Sequence, residues 1–219
     1  MKKAFCLMIT CLVLLSLTAP VSAQGKAADA EKDFRFTIKT NPLAALGGPF
    51  WLAIVPLTGE YKVLFEAKVA PKASFQFGAG YIDPSALLNL DDLTNEGDSI
   101  SGIKTSGFRV QGMFKYFLSR NLQAPEGFYI GPHVSFATAQ LKSKDNAANY
   151  IKAQKINVNG VIGYQLITSG GFALDIYTGV GFVSRKWTFS GSTFDTDQTG
   201  FSDKASINIP FGFSFGYAF

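Results

Sequence analysis

Past residue 23 the chain has no cysteine, a single histidine and no apolar run long and unbroken enough for a membrane helix. Charged residues make up only 16 %, against about 25 % in an ordinary soluble domain. Each scarcity excludes something. Without cysteine there is no disulfide, no thiol nucleophile and no thiolate metal ligand in that part of the chain. No Cys follows residue 23, which argues against an N-terminal lipid anchor. The chain's formal charge of +4 is too small and too scattered for a nucleic-acid footprint.

Both cysteines, Cys6 and Cys11, lie in an N-terminal segment that reads as a signal peptide. Lys2 and Lys3 form its basic start, Ala4 to Leu17 its apolar stretch, and Val21-Ser22-Ala23 its cleavage motif. The expected organisation is a signal peptide over residues 1–23, a small polar leader over 24–33, and a single domain over 34–219. Removing 23 residues from 219 leaves 196, enough for one domain. Lys2 and Lys3 leave with the signal, so the formal charge falls to +2.

What the chain has in abundance is alternation. Aromatics reach 14 % and glycines number 22. From Ile207 every second residue is large and apolar: Ile207, Ile209, Phe211, Phe213, Phe215, Tyr217 and Phe219. Those between are small or polar. A period of two places the large residues on one face of a strand. The pattern recurs eight times, with strands expected to begin at Phe34 and to cover Thr58–Val69, Ala73–Ile82, Gly107–Phe117, Phe128–Leu141, Gln154–Leu166, Phe172–Trp187 and the closing segment. The first of these is read as reaching as far as Leu46. Spans of about 9–11 residues suffice for a tilted strand to cross a membrane.

Connections alternate in length. Short ones lie at Ala70–Lys72, Leu118–Gly127 and Thr168–Gly171, and long ones at Ile82–Ser106, Lys142–Ala153 and Thr188–Lys204. The turn signal Gly47-Gly48-Pro49 is followed by an apolar stretch, Phe50 to Leu57, which either extends the second strand or packs on a rim. Short turns on one side and long loops on the other mark an outer-membrane barrel. The expected fold is therefore all-β: an eight-stranded antiparallel transmembrane barrel, an up-and-down meander. Its termini are expected in the periplasm and its long loops outside the cell.

The segment Phe215-Gly-Tyr217-Ala-Phe219 resembles the C-terminal insertion signal of small Gram-negative outer-membrane barrels, which the barrel-assembly machinery reads. More narrowly, Ile38-Lys39-Thr-Asn41-Pro42-Leu43, Gly59-Glu60-Tyr61 and Ser74-Phe75-Gln76-Phe77-Gly78-Ala-Gly80-Tyr81 resemble an outer-membrane barrel family common in Bacteroidetes. That resemblance implies architecture and location and no particular activity.

On the minor face of the strands the sequence places Arg35, Lys39, Lys62, Glu66, Lys68, Arg109, Lys115, Asp175 and Arg185. An eight-stranded barrel is nearly filled by its side chains, and buried charges need partners. Glu66, Arg109, Lys115, Asp175 and Arg185 are the candidates for a lumen ion-pair plug. A narrow, anion-leaning pore is the alternative reading of the same residues.

His133 and Ser135 share one strand face, both aimed inward. The pair resembles, poorly, outer-membrane enzymes that deacylate lipid A, in which a carboxylate completes a nucleophilic triad. No Glu follows Glu126 to supply it.

The long loops carry opposite charge. Residues 82–106 hold five acids against Lys104, residues 142–155 hold four lysines against Asp145, and Asp195, Asp197 and Asp203 stand without a base in residues 188–203. Asp91-Asp92 lacks the ligand spacing of a calcium loop. No metal or cofactor is expected. The expected role is a non-enzymatic surface scaffold, adhesin or accessory of a larger outer-membrane complex, in contact with lipid and lipopolysaccharide.

Overall fold

The computed structural model describes residues 33–46, 58–84, 103–120, 122–143, 149–190 and 205–219. The expected signal peptide, most of the leader and most of the long-loop residues lie outside them.

The described residues form eight strands and one helical turn. β1 is Phe36–Thr40 and α1 is Leu43–Leu46; β2 is Thr58–Ala70 and β3 is Ala73–Pro84. β4 is Ile103–Phe117, β5 is Gly127–Ser143, β6 is Tyr150–Ile167 and β7 is Phe172–Ser190. β8 has two segments, Ala205–Asn208 and Phe211–Ala218. Every neighbouring pair is antiparallel, and the ring closes where β8 meets β1. The result is the expected closed, up-and-down barrel.

The interruption in β8 falls at Ile209-Pro210, where proline offers no N–H to the ladder. Register survives it. Asn208 stands opposite Gly181 and Phe211 opposite Thr178, so β7 reads one continuous partner.

The first strand corrects the sequence expectation. It stops at Thr40 rather than running toward Leu46. Asn41-Pro42 is the cause. Proline cannot continue the ladder but fits the first position of a helix, and Asn41 Oδ1 caps it by accepting a bond from Ala44 N at 3.1 Å. Strands β4 to β7 are longer than expected, at 15, 17, 18 and 19 residues. The extra residues lie mostly at the long-loop end, where polar side chains blur the alternation.

The short-turn end is tied together by Lys72. Its Nζ donates to the carbonyls of Ser119 at 2.5 Å, Arg120 at 3.2 Å and Leu122 at 2.6 Å. That anchors the connection between β4 and β5 onto the β2–β3 turn. At the β6–β7 turn Gly171 adopts φ +89°, a region L side chains avoid.

The barrel is inverted relative to a soluble protein. Ile207, Ile209 and Phe211 are more than 70 % exposed on the outer wall, and Phe182 is 67 % exposed. Lys39, Glu66, Lys115, Asp175, Gln76 and Gln165 are fully or almost fully buried inside it. The apolar interior is small, centred on Met113, Phe117, Tyr129, Val161 and Tyr177.

Candidate functional site

The lumen is organised in two polar layers. Toward the short-turn end lies an ionic cluster built from seven strands. Lys39 of β1, Glu66 of β2, Lys115 of β4 and Asp175 of β7 project inward at positions fixed by strand parity. Lys39 Nζ is 2.6 Å from Glu66 Oε2 and 2.8 Å from Asp175 Oδ2. Lys115 Nζ is 3.0 Å from Glu66 Oε2 and 2.6 Å from Asp175 Oδ2. All four side chains are wholly inaccessible.

Each ammonium has three N–H donors, and each finds three acceptors. The third is Gln165 Oε1 of β6, which accepts from both lysines at 2.7 Å. The acids are served as fully. Tyr129 OH of β5 donates to Asp175 Oδ1 at 2.7 Å. Ser74 donates to Glu66 Oε1, and Thr37 to Glu66 Oε2 at 3.4 Å. Lys115 also stands over the Tyr129 ring, 4.6 Å from its centroid. Two cations face two anions, so the cluster is neutral. Burying charge is tolerable only with such balance and saturation.

Toward the long-loop end the second layer is less balanced. Arg109 Nη1 is 3.0 Å from Glu60 Oε2, and Lys62 Nζ is 3.4 Å from Glu60 Oε1. Arg109 Nη2 and Asn157 Nδ2 both donate to Ser135 Oγ, at 3.1 Å and 2.9 Å. Asn208 Nδ2 donates to Asn159 Oδ1 at 3.0 Å, which turns the Asn159 amide NH2 toward His133 Nδ1 at 3.2 Å. His133 Nδ1 is then an acceptor, and its proton sits on Nε2. His133 also packs beside Tyr177, with ring centroids 5.9 Å apart.

The five lumen candidates therefore separate. Glu66, Lys115 and Asp175 meet, with Lys39 as the fourth member. Arg109 joins Glu60, which is absent from the inward set expected from sequence. Arg185 Nη1 donates to Ser206 Oγ at 3.2 Å near the mouth. Two residues of the inward set do not enter the lumen's interior. Arg35 is exposed at the short-turn end beside Asp33, and Lys68 binds the same Asp33 and Gln123. The Lys68 bond holds the Asp33 carboxyl below its usual range.

His133 and Ser135 face inward as parity requires, but their bonds diverge. Ser135 serves Arg109 and Asn157; His133 Nδ1 faces Asn159, and His133 Nε2 has no hydrogen-bond partner among the described residues. Among the described residues no group of three His, Cys, Asp or Glu side chains is arranged to hold a metal.

The terminal aromatics lie on the outer wall and closing seam. Phe219 O accepts from Arg35 N at 3.1 Å and Phe36 N at 2.9 Å, and Phe219 N donates to Phe36 O at 2.9 Å. Tyr217 is exposed opposite Phe172, and Phe215 is half-buried.

Fold and lumen define a closed eight-stranded antiparallel β-barrel with an apolar exterior and an ionic interior. No known protein family, curated protein or solved structure matches the chain. No described helix is long and apolar enough to cross a membrane.

Proposed function

We propose that this protein is an outer-membrane β-barrel that acts as a non-enzymatic surface scaffold, an adhesin or an accessory of a larger envelope complex. The observation that carries the reading is the inverted wall. A ring of Phe, Ile, Val and Tyr side chains faces outward around every strand, while lysines and carboxylates are sealed inside. In water that arrangement exposes far more apolar surface than a soluble protein tolerates. In lipid it is the stable one, because closure satisfies each strand's backbone and the wall meets hydrocarbon.

The ionic cluster favours a scaffold over a pore. It spans seven strands and leaves its four charges inaccessible, so a hydrated ion has no described path past it. The divergent bonds of His133 and Ser135 give a lipid-modifying enzyme less support than either. The long loops, with their opposed charges, are the natural place for a partner or for lipopolysaccharide bridged by divalent cations.

Cell fractionation tests the location. The protein is expected in the outer-membrane fraction, released only by detergent, and its unheated form should migrate faster on SDS gels than the boiled form. Recovery from the periplasm without detergent would overturn the reading. Affinity purification from solubilised outer membranes tests the accessory role, and no reproducible partner would remove it.

A further inference from the structure

The outer wall changes character in steps along β4 to β7. Over residues 108–116, 128–136, 156–164 and 172–182 the outward positions are mostly aromatic or aliphatic. Each stretch matches the roughly 9–11 residues a tilted strand needs to cross hydrocarbon. The next outward positions toward the long loops are Ser106, Thr138, Gln154 and Ser184. Beyond them come Lys104, Lys142, Lys152 and Lys186. Lys104 and Lys186 are exposed and Lys142 and Lys152 half-buried, while the neighbouring Thr105 and Ala153 are buried on the lumen side.

The four lysines form one chain across the sheet. Lys104 stands directly opposite Lys142. Lys142 faces Tyr150 and Lys152 faces Gln140, which makes these lysines diagonal neighbours. Lys152 faces Thr188 and Lys186 faces Gln154, so that pair is diagonal too. Diagonal neighbours lie about 7–8 Å apart, and like charges directly opposite are destabilising. No ion pair joins any of the four to another described residue. Asp83 of β3 is the one carboxylate that faces outward at that end among the described residues. On β1, β2, β3 and β8 no described lysine or arginine faces outward there.

We infer that this lysine face holds the phosphate groups of an anionic glycolipid of the outer leaflet, whose acyl chains lie on the apolar wall below. The inference rests on the outer-membrane reading, which puts the long-loop end outside. On β4, β6 and β7 each lysine lies four positions past the last apolar side chain, Phe108, Ile156 or Phe182. Four residues of a tilted strand rise about 10 Å. The headgroup layer begins where the hydrocarbon ends, and lysine stems reach back toward it. An ammonium is a compact charge with three donors, suited to phosphate oxygens. Phosphates between the lysines relieve the repulsion of Lys104 and Lys142. The hydroxyl and amide row below offers partners to the sugar. Because the lysines meet phosphate directly, no divalent cation is needed.

The test uses the whole mature chain folded in detergent, with EDTA present. Native mass spectrometry counts bound lipid as bisphosphorylated lipid A is titrated in, with dephosphorylated lipid A and phosphatidylglycerol as separate arms. Wild type is expected to hold the bisphosphorylated form about tenfold or more tighter than the dephosphorylated one, as several lysines near an anionic headgroup imply. Combined Lys104→Gln, Lys142→Gln, Lys152→Gln and Lys186→Gln should abolish that preference. Lys104→Gln with Lys142→Gln should reduce it about threefold or more, and carries the test if the fourfold variant does not fold. Arg120→Gln, exposed at the short-turn end, should change nothing. Equal retention of both lipid A forms by wild type that shows heat-dependent gel mobility would overturn the proposal and leave the acidic long loops as the partner of the lysines. Undiminished preference in folded variants would overturn it as well, and tighter retention of phosphatidylglycerol would overturn the glycolipid assignment. Wild type without that mobility would instead strike the membrane barrel on which the proposal rests.

Discussion

Lys115 Nζ lies 2.6 Å from Asp175 Oδ2, although the two residues are 60 positions apart and sit on β4 and β7. The contact crosses the lumen rather than following the sheet, since β5 and β6 lie between those strands. Lys39 reaches the same oxygen from β1 at 2.8 Å. The cluster therefore braces opposite walls of the barrel, and its removal is expected to weaken the closed ring as a whole.

Asp175→Asn leaves two buried ammonium groups facing Glu66 alone. Breaking one side of a buried ionic group costs about 3–5 kcal/mol, because the remaining charge is uncompensated. Urea unfolding of the detergent-folded protein should show a loss of that size. Asp175→Leu combined with Lys115→Met removes one charge of each sign and should cost clearly less than the two single changes summed. Simple additivity would mean that the two charges do not interact.

The cluster is also expected to block conductance. Wild-type protein in planar bilayers is expected to give no unitary current steps. Lys39→Ala with Glu66→Ala removes one cation, one anion and much side-chain volume while leaving Lys115 paired with Asp175. That double variant, once shown to fold, should conduct. Steady current through wild type would show that the cluster does not seal the lumen.

Gly163 and Gly160 face opposite sides of β6 and should respond oppositely to alanine. A Cβ at Gly163 would stand 2.5 Å from the Tyr129 ring and 2.7 Å from Ile176 O. It would push Tyr129 off Asp175 and cost about 1–3 kcal/mol, as overpacking does. A Cβ at Gly160 points outward and meets nothing nearer than Val180 O at 3.9 Å. Gly160→Ala should stay within about 0.5 kcal/mol of wild type. Equal urea midpoints for the two variants would contradict the assignment of faces.

Parity explains why so much of this interior was legible in sequence. A period of two assigns each residue to lumen or wall without knowledge of the partner strand. That placed Glu66, Lys115 and Asp175 inside, together with Lys39, and the wall aromatics outside. It does not give height along the barrel axis, which depends on tilt and stagger. Arg109 and Arg185 have the same parity as the cluster but lie further toward the mouth, so composition alone could not divide the charges into layers. Glu60 was within reach of the same rule, two residues before Lys62 on one face. Tyr129 was hidden because Phe128 and Ile130 carry the apolar alternation and draw attention to the wall. The early end of β1 was also readable: Asn41-Pro42 is a helix-start signal that overrides the alternation before it.

The closing strand separates two roles of Phe219. Its backbone makes three bonds to Arg35 and Phe36, which seal the last strand onto the first. Its ring lies 5.9 Å from the Phe36 ring on the outer wall. Deleting Phe219 removes both, whereas Phe219→Ala removes only the ring. If the terminal aromatic is an insertion signal, Phe219→Ala should fold in detergent with near wild-type stability, yet accumulate poorly in the outer membrane of cells. The deletion should be impaired in both assays, because a closed barrel has no spare edge and the seam loses its end bonds in a medium that offers none. Quantitative fractionation beside a refolding assay distinguishes the two. Wild-type accumulation of Phe219→Ala would assign the residue to seam closure and leave insertion to other residues of β8.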